Sequence, residues 1–134
     1  MYAEAEPSRF GNLTGSMLNY MRLMESQLKV GKPSLTGWAA QRWQDLCMST
    51  RWMLDNGNLS DDDKAMLTNL AQLLHEQGFD YETWFHTFGP KDAMHNVNLA
   101  QALKSAAVWY GITGNTTLRA LSLERMQRID HECS

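Results

Sequence analysis

The polar groups best placed to bind a ligand lie between Phe85 and Lys104, where the sequence reads FHTFGPKDAMHNVNLAQALK. A loop broken by glycine and proline leads into a strongly helical run, and His95 and Asn98 stand where that helix is expected to begin. Side chains at such a junction are often used for ligand binding on helical scaffolds. The alternative is structural: His95 can cap the helix or bond a backbone carbonyl, and Asn98 can be a polar residue of the first turn.

The other histidines and the cysteines form no recognisable catalytic or metal-binding pattern. His75 and His86 have no third ligand at metal spacing and are interpreted as surface or inter-helix residues. Cys47 lies among apolar residues and is interpreted as a small core residue. The terminal His131-Glu132-Cys133-Ser134 supplies too few ligands for zinc, and two cysteines do not make a disulfide framework. We therefore predict no catalytic residue and no metal ligand in this chain.

The composition is that of one soluble globular domain. The 134 residues are 43% hydrophobic and 20% charged, and the net charge is −3 with scattered lysines and arginines. Because no basic face is present, nucleic acid is not expected as a partner. No apolar run approaches the roughly 20 residues of a membrane span, and the acidic N-terminus lacks the apolar core of a secretory signal. We expect no membrane association and favour the cytoplasm.

Apolar residues recur at helical spacing along most of the chain. Ser60, followed by three aspartates, is a typical helix start, Asp80 can cap a short helix, and Gly57 is expected to end a helix in the left-handed conformation. Residues 1–13 are expected to be irregular and residues 131–134 to form a disordered tail. The predicted helices span residues 14–29, 36–55, 61–77, 81–86, 97–112 and 116–130.

A weak internal repeat indicates how these helices are arranged. Three residues around a helix end recur 57 positions later: Trp52, Gly57 and Asn58 match Trp109, Gly114 and Asn115. This period suits stacked helical hairpins, although it is longer than that of the common helical solenoids. We therefore predict an all-α fold over residues 1–134, in which helical hairpins form part of an (α/α)6 toroid. The helical spacing of the tryptophans places three of them in the core: Trp43, Trp52 and Trp109.

Several short segments also follow one another in an order typical of one known family. They are residues 42–46 (RWQDL), 52–55 (WMLD), 73–80 (LLHEQGFD) with Trp84-Phe85, 95–104 (HNVNLAQALK) and 110–114 (YGITG). Over roughly residues 14–125 the chain thereby resembles the catalytic domain of the β-L-arabinofuranosidase-type glycoside hydrolases. The resemblance implies an (α/α)6 toroid and a retaining glycosidase that acts on terminal β-L-arabinofuranosyl groups.

The resemblance also implies a catalytic apparatus that this chain lacks. In the family a zinc-bound cysteine thiolate is the nucleophile and a glutamate is the acid/base, and zinc keeps the thiolate deprotonated. Those motifs lie downstream of the matching region, and here there is neither a cysteine pair nor a Glu-x-Cys arrangement. Zinc is expected only in a full-length family member. We therefore interpret the chain as a fragment that contributes sugar-binding surface and does not hydrolyse glycosides by itself.

For substrate binding, the resemblance assigns His95 as a sugar-contacting residue. Its imidazole can hydrogen-bond a sugar hydroxyl, and the nearby Trp84 or Phe85 can supply an apolar wall. Asn96 stands where the family more commonly has glycine, and this departure narrows the pocket or alters the loop. The expected partner is a carbohydrate, an arabinofuranoside.

A second hypothesis comes from a different class of protein. Stacked helical hairpins also form stand-alone interaction modules, whose grooves bind a peptide or a protein. If the chain is instead one part of a toroid, the faces of its terminal hairpins lack their neighbours. Self-association through exposed hairpin faces is therefore expected.

Overall fold

Every described element of the chain is an α-helix. The computed structural model describes residues 12–31, 35–87 and 96–133, and these ranges contain no strand. The predicted all-α class is confirmed. In chain order, the helices of these ranges are α1 (Leu13–Lys29), α2 (Gly37–Gln41), α3 (Trp43–Asn56), α4 (Asp61–Gln77), α5 (Tyr81–Thr87), α6 (Asn96–Thr113) and α7 (Thr116–Cys133).

The residues predicted to cap the starts of α4 and α5 form the expected hydrogen bonds. The Ser60 hydroxyl accepts a hydrogen bond from the Asp63 amide at 3.2 Å, and three aspartates follow at the positive end of the α4 dipole. Asp80 accepts from the Thr83 amide at 3.0 Å and begins α5 in the same way. Gly114, at φ 70°, turns the chain between α6 and α7.

The helix predicted over residues 36–55 is broken at Arg42. This residue adopts φ −118° and ψ 26°, and it separates the short α2 from α3. The break frees carbonyl groups that a continuous helix would use internally. The Ala40 carbonyl accepts from the Phe79 amide at 2.9 Å, and the Gln41 carbonyl accepts from the Tyr81 hydroxyl at 2.8 Å. The helix break at Arg42 is therefore accompanied by hydrogen bonds from residues 79 and 81, which are distant in the sequence.

The two glycines matched by the internal repeat, Gly57 and Gly114, have different backbone conformations. Gly57 ends α3 with an extended backbone at φ −77°, so the predicted left-handed exit is wrong, whereas Gly114 has φ 70°. The cap that follows Gly57 is Ser60 rather than Asn58. The two hairpin turns are thus built differently.

The helices pack in a spatial order that differs from their order in the chain. α4 packs against α1 and α3, α3 packs against α6, and α6 packs against α7, which gives the succession α1, α4, α3, α6, α7. The main core lies where α1, α3 and α4 meet. Its fully buried members are Met21, Leu28, Trp43, Cys47, Met53, Leu67, Leu70, Ala71 and Leu74.

A second, smaller core lies between α5, α6 and α7. It contains Tyr81, Trp84, Phe85 and Ala102, with Ile129 of α7 packed against them. This cluster holds α5 against the α6–α7 hairpin. Helix α7 extends through Cys133, across most of the segment for which a disordered tail is predicted, while residues 1–11 lie outside the described ranges.

Two of the tryptophans predicted to lie in the core, Trp52 and Trp109, are half-buried against the main core. The helical spacing of apolar residues also predicts that Ala39 and Ala107 face inward, but both are exposed. The same spacing places Arg125 on the inner face of α7, where it is buried and only 2% exposed. No helix of the described residues is long and apolar enough to cross a membrane.

Candidate functional site

Two of the three residues predicted to contact a sugar lie in the interior of the molecule. Trp84 and Phe85 are 7% and 3% exposed, and their rings meet nearly edge to face with centroids 5.0 Å apart. His95 lies outside the described residues. The assignment of these three residues to substrate binding stays a prediction.

Asn98 is placed by the structure in the first turn of α6, as its position in the sequence indicates. Its side chain is buried, and its Oδ1 has no hydrogen-bond partner among the described residues. A buried carbonyl oxygen without a partner is costly, so this atom is an exception to the usual pairing of buried polar groups.

A concave site of the described residues is a cleft of about 470 Å³ around the connection from α4 to α5. We call it the His75 cleft. Its lining combines aromatic rings, one imidazole and several carboxylates, the mixture that polar ligands with apolar faces require. The lining residues are Trp43, His75, Glu76, Gly78, Phe79, Asp80, Tyr81, Glu82 and Thr83.

The connection that forms the cleft is held tightly against α2 and α3. The indole nitrogen of Trp43 donates to the Phe79 carbonyl at 3.3 Å, and the Phe79 amide donates to Ala40 at 2.9 Å. Gly78 approaches the indole so closely that a Cβ added there would lie 2.6 Å from Trp43 Cγ. Since real Cβ atoms do not approach other atoms this closely, only glycine fits without a shift.

Three rings from three helices meet beside the cleft, and two of them, His75 and Trp43, line it. The His75 imidazole of α4 lies parallel to the Trp109 indole of α6, with centroids 4.1 Å apart. The edge of Trp43, from α3, meets His75 at 5.1 Å and an interplanar angle of 86°. Offset stacked and edge-to-face contacts are the favoured arrangements of such rings. These contacts therefore stabilise the packing of α3, α4 and α6 against one another.

This environment keeps the His75 imidazole neutral at neutral pH. Burial lowers the pKa of His75 from its ordinary value of 6.5, because the charged form loses its hydration. The carboxylates of Glu82, Asp80 and Glu76 act in the opposite direction and only partly offset burial. A neutral imidazole can donate one hydrogen bond and accept another.

The carboxylates at the mouth of the cleft differ in what binds them. Asp80 accepts from the amide and hydroxyl of Thr83 at 3.0 and 2.6 Å, and these bonds lower the pKa of Asp80. Glu76 accepts from Gln72 at 2.7 Å. Glu82 is paired with the buried Arg125, which also donates to Ser105 at 2.9 Å. Each carboxylate thus has a hydrogen-bond or ion-pair partner within the molecule, and its remaining lone pairs can accept from a ligand's hydroxyl groups.

Cys47 and the metal-ligating residues lie apart from any reactive arrangement of the kind that the resemblance implies. Cys47 is fully buried, and burial raises the pKa of its thiol to about 12, so it is not a thiolate at neutral pH. In the part of the chain that the structure describes, no three His, Cys, Asp or Glu side chains lie close enough together to hold a metal ion.

His75 is predicted from the sequence to be a surface or inter-helix histidine, and the second of these alternatives is confirmed. The sequence does not indicate that His75 lines a cleft. Its partners come from helices distant in the chain, so no local pattern indicates the cleft. The usable signal is the clustering of His75, Glu76, Asp80 and Glu82 around Gly78, just before a capped helix.

No protein-family model matches this chain, and no characterised protein or solved structure is detectably similar to it. The predicted membership of a glycoside hydrolase family therefore depends on the sequence segments alone.

Proposed function

We propose that this chain is a carbohydrate-binding helical domain of the β-L-arabinofuranosidase type, and that the His75 cleft takes part in binding the sugar. The supporting observation is the juxtaposition of three carboxylates with aromatic rings in one cleft. Carboxylate oxygens accept hydrogen bonds from sugar hydroxyls, and the half-buried Phe79 ring offers an apolar surface to the C–H face of the sugar.

The arrangement of the helices is compatible with one arc of an (α/α)6 ring, which we include in the proposal. The hairpin of α3 and α4 lies beside the hairpin of α6 and α7, and the two are joined through the α3–α6 contact. Successive adjacent hairpins are the building units of such rings. The predicted contact of His95, Trp84 and Phe85 with the arabinofuranoside belongs to the same proposal. Trp84 and Phe85 directly follow the residues of α5 that line the cleft.

The binding proposal is tested by titrating the protein with methyl β-L-arabinofuranoside while recording the indole N–H signals of its tryptophans by NMR. We expect the Trp43 signal to shift with saturable dependence on sugar concentration. Asp80→Asn keeps a side-chain acceptor for the helix cap but removes the charge. Glu76→Gln likewise replaces a carboxylate of the cleft by a neutral amide. Each is expected to weaken binding about tenfold, the usual effect of losing a hydrogen bond to a charged group.

Asp55→Asn is the matched control, because Asp55 is an exposed carboxylate that does not line the cleft. It should bind the sugar as the wild type does. A Trp43 signal that does not move at saturating sugar, or equal affinity in all variants, would contradict the proposal.

The chain alone is not expected to hydrolyse arabinofuranosides. The buried Cys47 cannot act as a thiolate nucleophile, for the reason given above. Incubation with a chromogenic β-L-arabinofuranoside and zinc should release no chromophore above the blank. Turnover that is abolished by Cys47→Ala would overturn this part of the proposal.

An interaction module remains the second candidate function. It is favoured by large apolar side chains that stand exposed on the outer helices, among them Tyr20, Leu23, Leu123 and Met126. Exposed apolar groups in series on one helix are typical of a surface that packs on another protein.

A further inference from the structure

The outer face of α1 carries apolar side chains at the spacing of a helix-packing seam. Leu13, Tyr20, Leu23 and Val30 are 44%, 52%, 53% and 77% exposed. Together with Ser16 and Gln27 they follow the alternating three- and four-residue steps of a heptad repeat. Val30 continues the helical backbone beyond Lys29, with φ −76° and ψ −10°. We call these six residues the α1 seam.

The opposite face of α1 is the one that packs on the body of the molecule. Met21 and Leu28 are buried there against α4, and the buried Glu25 accepts from Asn69 of α4 at 2.6 Å. Because that face packs on α4, the exposed apolar residues of α1 lie outside the core formed by the described residues.

The α1 seam is also free of charge, which is unusual for an exposed helix face. The charged exposed residues of the described part of α1 are Arg22 and Lys29, and both are held in ion pairs. Arg22 binds Asp63 of α4 at 2.6 Å and Lys29 binds Glu25 at 2.5 Å. The cores of protein–protein interfaces contain few charged residues and are enriched in aromatic residues. The α1 seam, with Tyr20 and no charged residue, fits this description.

The order of residues in the seam is self-complementary when it is read in opposite directions. In an antiparallel pair of α1 helices about a two-fold axis, Tyr20 faces Leu23 of the second copy, and Leu13 faces Val30. Ser16 then faces Gln27. Apolar residues thus meet apolar residues, the two polar positions meet each other, and no like charges are opposed.

We propose that the α1 seam is a docking surface for a second copy of this chain, which packs its own α1 antiparallel about a two-fold axis. A helix of 17 residues is about 25 Å long. Two such helices bury less area than a standard stable interface does. The dimer is therefore weak, with a dissociation constant on the order of 100 μM.

Sedimentation velocity of the whole chain between 5 μM and 1 mM tests the proposal. We expect a monomer–dimer equilibrium that Leu23→Glu abolishes, because it places two carboxylates in the seam. Leu123→Glu is the matched control, since Leu123 is a similarly exposed leucine, at 59%, on α7. It should dimerise as the wild type does. A wild type that is monomeric throughout, or assemblies larger than a dimer, would overturn the proposal, as would dissociation caused by Leu123→Glu.

Disulfide trapping tests the direction of packing. In a Cys133→Ser background, Tyr20→Cys and Leu23→Cys proteins carrying different tags are mixed and oxidised. The antiparallel register predicts predominant disulfides between the two different proteins. Predominant pairing within each protein indicates parallel helices and would contradict the proposed symmetry. Circular dichroism of each variant shows whether the helical fold is retained.

Discussion

The His75 imidazole and the Trp109 indole lie face to face, with ring centroids 4.1 Å apart and planes inclined by only 9°. The stack connects α4 to α6, two helices that otherwise touch little because α3 lies between them. His75 also lines the candidate binding cleft. The stability of the fold and the state of the cleft therefore both depend on the charge of His75.

The free energy of unfolding is expected to depend on pH through His75. Burial lowers the pKa of His75 below 6.5, so the unfolded chain binds a proton more readily than the folded one. The protein should lose stability as the pH falls from about 6.5 towards the folded pKa, with no further loss from this group below it. Urea unfolding at pH 7.5, 6.5, 5.5 and 5.0 measures the effect.

His75→Phe is the comparison that isolates this contribution. It keeps an aromatic ring against Trp109 but cannot take up a proton, so its stability should change less between pH 7 and 5. Asp63 and Asp80 have lowered pKa values and therefore stabilise the fold above the ordinary value of 3.8, a contribution that is lost only as the pH falls from about 3.8 towards the folded pKa. Parallel pH profiles for wild type and His75→Phe would contradict the prediction.

Gly78→Ala is expected to destabilise the protein. The added methyl group would lie 2.6 Å from Trp43 Cγ and 2.7 Å from the Leu74 carbonyl oxygen, and neither group can retreat easily. Overpacking of this kind typically costs about 1–3 kcal/mol. The unfolding free energy measured in urea should fall accordingly, and the indole signals of Trp43 should shift.

Gly111→Ala is the matched control for that substitution. Gly111 lies inside α6, and a Cβ added there meets no atom within 4 Å. Because alanine favours a helix interior by about 0.8–1 kcal/mol over glycine, this variant should be more stable than the wild type. Equal losses in the two variants would show that the contact with Trp43 is not the cause.

The sequence predicts the parts of the fold that depend on local chemistry. Ser60 and Asp80 begin helices because their side chains bond amides three residues later, and such short-range bonds can be read from the chain. The break at Arg42 cannot be read from the local sequence because it accompanies hydrogen bonds from Phe79 and Tyr81, far along the chain. The His75 cleft likewise depends on contacts between helices that are distant in the sequence.

Arg125 is expected to be a major stabilising residue of the second core. It is buried, donates to Ser105, pairs with Glu82, and lies 4.5 Å over the Phe85 ring. Arg125→Met preserves much of the volume but leaves Glu82 and Ser105 without their partner, so a loss of about 2–4 kcal/mol is expected from urea unfolding. Arg125→Lys should not restore stability, since one ammonium cannot reproduce the forked contacts.

The control for Arg125 is an arginine with a similar ion pair on the surface. Arg51 pairs with Asp55 at 2.6 Å, but both side chains are about half exposed, at 49% and 48%. Exposed pairs contribute little because water and salt screen them. Arg51→Met should therefore change the unfolding free energy far less than Arg125→Met, and comparable losses would refute the importance assigned to burial.

The thiol of Cys47 is expected to be unreactive in the folded protein. It is fully buried, and its pKa is raised to about 12, so thiolate is scarce at pH 8 and reagents cannot reach it. In a Cys133→Ser variant, a chromogenic disulfide reagent should react only after urea unfolds the chain. Adding Met48→Cys, a substitution at a neighbouring exposed position, should give one promptly reacting thiol. Prompt reaction of Cys47 itself would show that the core between α3 and α4 opens readily, and it would restore this cysteine as a candidate nucleophile.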